Sequence, residues 1–506
     1  MDEPALSFPA LAEDATCDVA VVGSGIAGLS TAYELVKAGH TVIVLERGPI
    51  ARGMTARTSA HLTSALDDFY HEFISIRGED IARLHFQSQA AAVDRIGVIA
   101  AEERIACDYK RIEARLFLAG NAKEQVLQRE QAALTKVGLP GVSKRASVGG
   151  HRLSDGPCLI IPQQGRFHPL RYLDGLARAL MRLGVRLYAD TAVAEVAETD
   201  GGVTVRTAAG YRVSARAAVL ATNAPIGERG PVTPQESPFR TYIVAAEVPR
   251  GRIEDLLYWD TEDPYHYVRL HPWGDYDLLI IGGEDHRSGE ADDAQDRLTR
   301  LEAWARERFP EMGRIAYRWS GQCLETPDHA AFIGQRPGTE HVFLASGDSG
   351  QGITHGVAAG MLIADLIDSS EHPWAKVYNP GRTPPRALGN FFAGAVGVAK
   401  NFFEKLAPGD VKSEDSLIPG TGGIMRVGAH KVAVCRDERG QTHRLSEACT
   451  HMGCGVRWNS FEQCWDCPCH GSQFAPDGTV LNAPAVKPLA AAKVDTAART
   501  REKASA

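Results

Sequence analysis

Four residues near the end of the chain, Cys449, His451, Cys467 and His470, have the types and spacing of a metal site. A Cys-x-His pair is followed, after fifteen intervening residues, by Cys-x-x-His. Two thiolates with two imidazoles suit two centres: a structural zinc, or a [2Fe–2S] cluster in which histidines replace the cysteines on one iron. That replacement raises the potential to about −150 to +300 mV. Two more cysteines weigh for the cluster. Cys454 follows His451 by three residues and Cys469 falls inside the second pair. A zinc finger needs neither, whereas two loops around a cluster can be tied together by a disulfide.

The boxes CTH-x-GC (449–454) and CPCHGS-x-F (467–474) resemble those of the Rieske family. The resemblance implies Cys449 and Cys467 on one iron, His451 and His470 on the other, and a Cys454–Cys469 bridge. It also gives Ser472 a hydrogen bond to a cluster sulfur. Such bonds raise the potential by stabilising the more negative reduced state. Phe474 stands where high-potential respiratory members place a tyrosine, so a moderate potential is expected.

A second chemistry lies near the start. Residues 19–22 form an apolar strand running into Gly23-x-Gly25-x-x-Gly28, then a helix, then a second strand ending at Glu46. Gly23 permits the tight turn, Gly25 lets the backbone approach a pyrophosphate, and Gly28 allows close helix packing. Ile26 and Ala27 open the helix whose N-terminus faces the phosphates. Glu46 can accept bonds from an adenosine ribose, with Arg47 beside it. Later segments select FAD over NAD. A small-residue loop with Thr55, Thr58, Ser59 and His61 can pass beneath a flat ring. Val193 lies in a run of short strands over 185–213. Thr222 and Asn223 end the apolar strand begun at 217. The glycine turn carrying Gly347 and Gly350 leads into a helix at Gly352, Ile353 and Thr354, placing N–H groups against a flavin N1/O2 edge.

Residues 23–46, 221–223 and 347–355 resemble the D-amino-acid oxidase/glycine oxidase flavoprotein superfamily, over about the first three quarters of the chain. The loop 53–63 and the GGEDH box (282–286) look most like the gamma-glutamylputrescine oxidoreductase branch and its Rieske-fused relatives. This implies a composite FAD domain with an inserted substrate domain, and oxidation of C–N bonds by hydride transfer to flavin N5. No second GxGxxG unit for a nicotinamide cofactor is found in the sequence.

The fold class expected is α/β: a composite Rossmann-like FAD domain (16–68, 149–230, 326–370), an inserted α+β substrate domain (69–148, 231–325) and an all-β Rieske domain (418–495). Helical spacing runs over 69–104, and strands over 235–248, 265–270 and 277–282 form a sheet that can roof the flavin. Alternation puts Tyr265, Tyr267 and Arg269 on one face. Arg269 is a candidate for pairing with a substrate carboxylate, with Tyr267 closing over it; a solvated strand face is the plainer alternative. His355 is placed at the flavin edge. His61 is a flavin contact, with covalent attachment a lesser alternative, and His286 a loop residue. Residues 371–417 form a proline-rich linker with an apolar-faced helix over 387–406, and 496–506 a polar tail.

The 506 residues carry a formal charge of −8 and no long basic run, which argues against nucleic acid. The acidic N-terminus lacks a leader pattern and no apolar run spans a bilayer, so a cytoplasmic location is expected. The function expected is an FAD-dependent amine or amino-acid dehydrogenase that passes electrons through the cluster to an external quinone, cytochrome or ferredoxin-like acceptor at an exposed histidine tip. The alternative is an electron-transfer or sensor protein whose cluster reduces the flavin. A Rieske oxygenase is set aside, since no histidine follows His470 to complete a mononuclear iron site.

Overall fold

The computed structural model describes residues 6–120, 122–149, 153–154, 156–226, 236–368, 371–384, 409–428 and 430–492. The helix expected over 387–406 and the tail 496–506 lie outside them.

The strand Ala15–Val22 is central because its last four residues are apolar and buried, as a strand covered on both faces requires. It pairs in parallel with Val42–Leu45 on one side and Arg212–Leu220 on the other. Val342–Ser346 and Phe332–Gln335 extend the sheet beyond Arg212–Leu220, Arg186–Tyr188 closes the other edge, and the hairpin Val193–Thr199/Gly202–Thr207 attaches to Arg212–Leu220. The helices Ile26–Lys37 and Gly352–Asp368 pack against each other over this sheet. They approach closely at Gly356 and Gly360, where an added Cβ would lie 2.7 Å from Ile26 Cγ2 and 2.8 Å from the Ser30 carbonyl carbon.

A second, eight-stranded sheet has the order Ile315–Glu325, Ser237–Pro249, Tyr276–Arg287, Tyr267–Trp273, Leu257–Asp260, Lys110–Phe117, Cys158–Arg166, Ser143–Arg145. Two segments pack across the expected division. Cys158–Arg166, expected in the dinucleotide part, pairs antiparallel with Lys110–Phe117 in the second sheet. The helix Glu79–Glu102, expected in the substrate part, packs on Gly352–Asp368 within the largest core. Periodicity reveals an apolar face but not its partner.

The C-terminal part holds a three-stranded sheet, Thr421–Val427, His430–Arg436 and Thr442–Ser446, and a four-stranded one, Arg457–Asn459, Cys464–Asp466, Gln473–Phe474 and Val480–Asn482. It docks on the rest through a built interface. Arg240, on the second sheet, pairs with Asp466 at 2.9 Å, each 2% exposed. Asn459 Nδ2 donates to the same Asp466 carboxylate at 2.8 Å. Asp292 accepts from the Ser460 N–H (2.9 Å) and hydroxyl (2.5 Å), and Arg57 pairs with Glu462. Among the described residues no helix is long and apolar enough to cross a membrane.

Candidate functional site

A cavity of about 560 Å3 lies between the two large sheets. On its first-sheet side the turn after Ala15–Val22 presents Gly23, Gly25, Ile26 and Ala27. Gly23 has φ +102°, and a Cβ there would stand 2.3 Å from the Ala221 carbonyl oxygen. Gly28 stays behind the wall, where a Cβ would strike the Gly23 carbonyl at 1.9 Å. Thr55 Oγ1 accepts from the Ile26 N–H at 3.1 Å. The Glu46 carboxylate accepts from the Ser24 N–H (2.8 Å) and hydroxyl (2.7 Å) on the rim. Arg47, Thr58, Ser59, His61, Val193, Thr222 and Asn223 also line the space. So do Gly347 and Gly350, followed by Gly352, Ile353 and Thr354, the first turn of Gly352–Asp368. A glycine-rich turn at a helix N-terminus on one flank and another beneath it fit the pyrophosphate and flavin edge of FAD.

The second-sheet side carries Thr241, Tyr267, Asp285, Gln322 and Cys323 on four strands, with Tyr265 and Asp67 from adjoining loops. The Tyr265 hydroxyl donates to Asp67 Oδ2 at 2.8 Å, and the Thr241 and Tyr267 hydroxyls lie 2.9 Å apart. Burial pushes the Asp67 carboxyl up to about 7 and that of Asp285 to about 6. Asp285 Oδ1 has no hydrogen-bond partner. Neither carboxylate is marked by a local motif of its own; within the GGEDH box attention falls on His286, which instead bonds the Tyr242 hydroxyl at 3.0 Å, off the cavity.

One candidate catalytic residue sits differently from expectation. Arg269 does not line the cavity: it is buried behind it, donating to the Ser59 and Leu270 carbonyls, and burial lowers its guanidinium to about 9. Strand alternation set its face correctly but not its depth. His355 lines the cavity with both ring nitrogens engaged, Nδ1 with the Asp348 carbonyl (2.9 Å) and Nε2 with His85 Nε2 (3.2 Å). Tyr70 bonds His85 Nδ1 at 3.0 Å. The Asp348 carbonyl can only accept, so His355 Nδ1 carries that ring's proton and its Nε2 accepts from His85, while the Tyr70 hydroxyl meets both His85 Nδ1 and the Ser64 carbonyl, at 3.1 Å. Burial holds His355 down near 4, which keeps the ring neutral beside the cavity. His61 also stays neutral, lowered to about 3 by burial and then Arg269, and neither ring nitrogen has a partner.

In the C-terminal part Cys454 and Cys469 are disulfide-bonded, with Cα atoms 6.5 Å apart. The Cys467 thiol bonds Cys449 and draws its thiol down against burial, with the His451 N–H and the Ser472 hydroxyl adding to this. The His451 and His470 rings stand 5.0 Å apart, nearly perpendicular. His470 Nδ1 is buried without a hydrogen-bond partner. Two adjacent sulfurs and an orphaned imidazole nitrogen fit a [2Fe–2S] cluster held by two cysteines and two histidines. The expected exposed histidine tip is not found. His470 is 3% exposed and His451 half-buried. The second cluster loop lies on the oxidoreductase part, Pro468 against Gly289 and Gly471 against Gln322.

Comparison with known proteins bears on both sites. Residues 18–366 match the DAO family, FAD dependent oxidoreductase, and residues 408–493 the Rieske [2Fe-2S] domain. YhfW of Bacillus subtilis, described as a Rieske 2Fe-2S iron-sulfur protein, is 32% identical over 489 residues, covering 96% of this chain and 94% of its own. Gamma-glutamylputrescine oxidoreductase of Escherichia coli is 30% identical over 384 residues, 71% of this chain and 85% of its own. Among solved structures, glycine oxidase from Geobacillus kaustophilus superposes with a TM-score of 0.61 at 20% identity, over 73% of this chain and 99% of that one, a likeness of fold. The chain therefore belongs to the family of FAD dependent oxidoreductases of the amine and amino-acid oxidase type, and carries in addition a Rieske [2Fe–2S] domain.

Proposed function

We propose that this protein dehydrogenates the C–N bond of a cationic amine lacking a neighbouring carboxylate. FAD supplies a hydride acceptor and the [2Fe–2S] cluster a one-electron outlet towards an external acceptor. The observation that carries the substrate class is the pair Asp67 and Asp285 at the second-sheet end of the cavity, with Arg269 withdrawn behind it. The arginines on the wall all fall within 47–57 and are already engaged: Arg47 with the Val480 carbonyl, Arg52 with Asp174, Arg57 with Glu462. A substrate carboxylate would meet two acids there; an ammonium group meets its complement. The relative from Escherichia coli is named for gamma-glutamylputrescine, and we carry an amine substrate over to this chain.

In this reading the free Asp285 Oδ1 accepts an N–H of the substrate, and the Tyr265 hydroxyl holds Asp67 in place. An ammonium must lose a proton before its α-hydrogen can leave as hydride. Asp67, at about 7, is poised to take it. The tyrosines and the neutral His61 and His355 shape the walls and exclude water.

The test is anaerobic mixing of the holoprotein with amines and amino acids, following flavin absorbance and the EPR signal of the reduced cluster. A cationic amine is expected to bleach the flavin first and raise the cluster signal afterwards. Equal reactivity of α-amino acids would overturn the substrate class. Bleaching only from a chemically reduced cluster would reverse the direction of flow.

A further inference from the structure

The cavity wall is not made by the oxidoreductase part alone. Residues 479–483, from the strand Val480–Asn482 of the Rieske domain and its flanks, line the same space as the 23–27 turn and Glu46. The contact is built rather than incidental. Arg47 Nη1 donates to the Val480 carbonyl at 3.3 Å. Ala483 is buried in one apolar cluster with Val22, Leu45 and Val193 of the first sheet and with Ile226 in the segment after Arg212–Leu220, and Val486 packs against it.

The segment is equally tied to the cluster loop. Val480–Asn482 pairs antiparallel with Gln473–Phe474, the strand that leaves Cys467, His470 and Ser472. Just past the segment, the Ala485 N–H donates to Ser472 Oγ at 3.0 Å, and that hydroxyl bonds the Cys449 sulfur. One short run of backbone therefore touches the dinucleotide cavity on one side and braces the cluster ligands on the other. Arg240–Asp466 keeps it there, because parting that buried pair leaves a charge uncompensated on each surface.

We propose that the Rieske domain is a structural part of the dinucleotide site, residues 479–483 forming one wall, so that FAD binding and docking of the domain favour one another. This rests on the reading that FAD occupies the cavity. Linkage makes the effect reciprocal: whatever strengthens FAD binding in the docked state strengthens docking by the same factor.

Leu481 is the place to probe it, being on the cavity wall yet 50% exposed, so a substitution there spares the core. FAD affinity is measured by titrating the deflavinated full-length protein, with cluster absorbance and EPR recorded alongside. Leu481→Asp sets a negative charge beside an anionic dinucleotide and is expected to weaken FAD binding tenfold or more. Leu481→Lys is expected to leave it unchanged or tighten it, and the cluster signal stays intact in both. Hydrogen exchange on the unsubstituted protein gives a second readout: adding FAD is expected to slow exchange over 473–486. FAD affinity within twofold in both variants, or exchange over 473–486 indifferent to FAD, overturns the proposal. Gly25→Ile separates the two levels. If it abolishes FAD binding while Leu481 has no influence, only the shared wall fails. If it leaves FAD binding intact, the cavity is not the FAD site and both readings fail.

Discussion

At the scale of single residues, Asp67 and Asp285 decide the pH response. A carboxyl raised to about 7 or 6 is neutral below that value and anionic above it. Capture of a cation therefore strengthens as pH rises through 6–7, and kcat/KM for an amine is expected to climb over that window in steady-state assays with an artificial acceptor. Asp285→Asn removes a charged hydrogen-bond partner, a loss of about 1.5–3 kcal/mol, or roughly 10–150-fold in kcat/KM. FAD content should be unchanged, since Asp285 stands at the end away from the 23–27 turn. Ser472→Ala takes away a bond to a cluster cysteine and should lower the cluster's midpoint potential, read by an EPR-monitored redox titration. These residues differ in how they are encoded. The cysteine–histidine boxes and the glycine turn announce themselves because ligand chemistry and backbone freedom are packed into a few consecutive positions. Asp67 and Asp285 are brought together by folding from over 200 positions apart, and no local spacing records that.

At the scale of elements, the helix pair beneath the cavity is the most sensitive joint. Gly360 brings Gly352–Asp368 against Ile26–Lys37 so closely that a Cβ would meet backbone at 2.8 Å. Gly360→Val is expected to cost about 1–3 kcal/mol through overpacking, seen as a lowered Tm, and to weaken FAD binding because the helix start lines the cavity. Here too the sequence is partly transparent. Short strands are legible between Gly/Asp turns over 423–427, 431–436 and 443–445, and the structure has strands at Thr421–Val427, His430–Arg436 and Thr442–Ser446. The sheet to which Cys158–Arg166 belongs is not legible, because CLIIPQQGR reads as a buried strand in either sheet. Arg269 shows the same limit: periodicity sets the side of a strand, and the depth of the layer above it decides whether a side chain reaches a ligand.

At the scale of the whole molecule, Arg240 and Asp466 join two parts that could otherwise be taken for beads on a string. Arg240→Met alone strands a buried carboxylate and is expected to cost about 3–5 kcal/mol, whereas Arg240→Met with Asp466→Leu should recover most of it. Thermal unfolding followed through the visible cluster band reads both. The same pair has a bearing on descent. Either half, transplanted beside a different neighbour by recombination, would inherit a lone charge in a dry seam together with the matching hydrogen-bonding carboxylates or hydroxyls. A replacement on either side of the seam therefore calls for its match on the other.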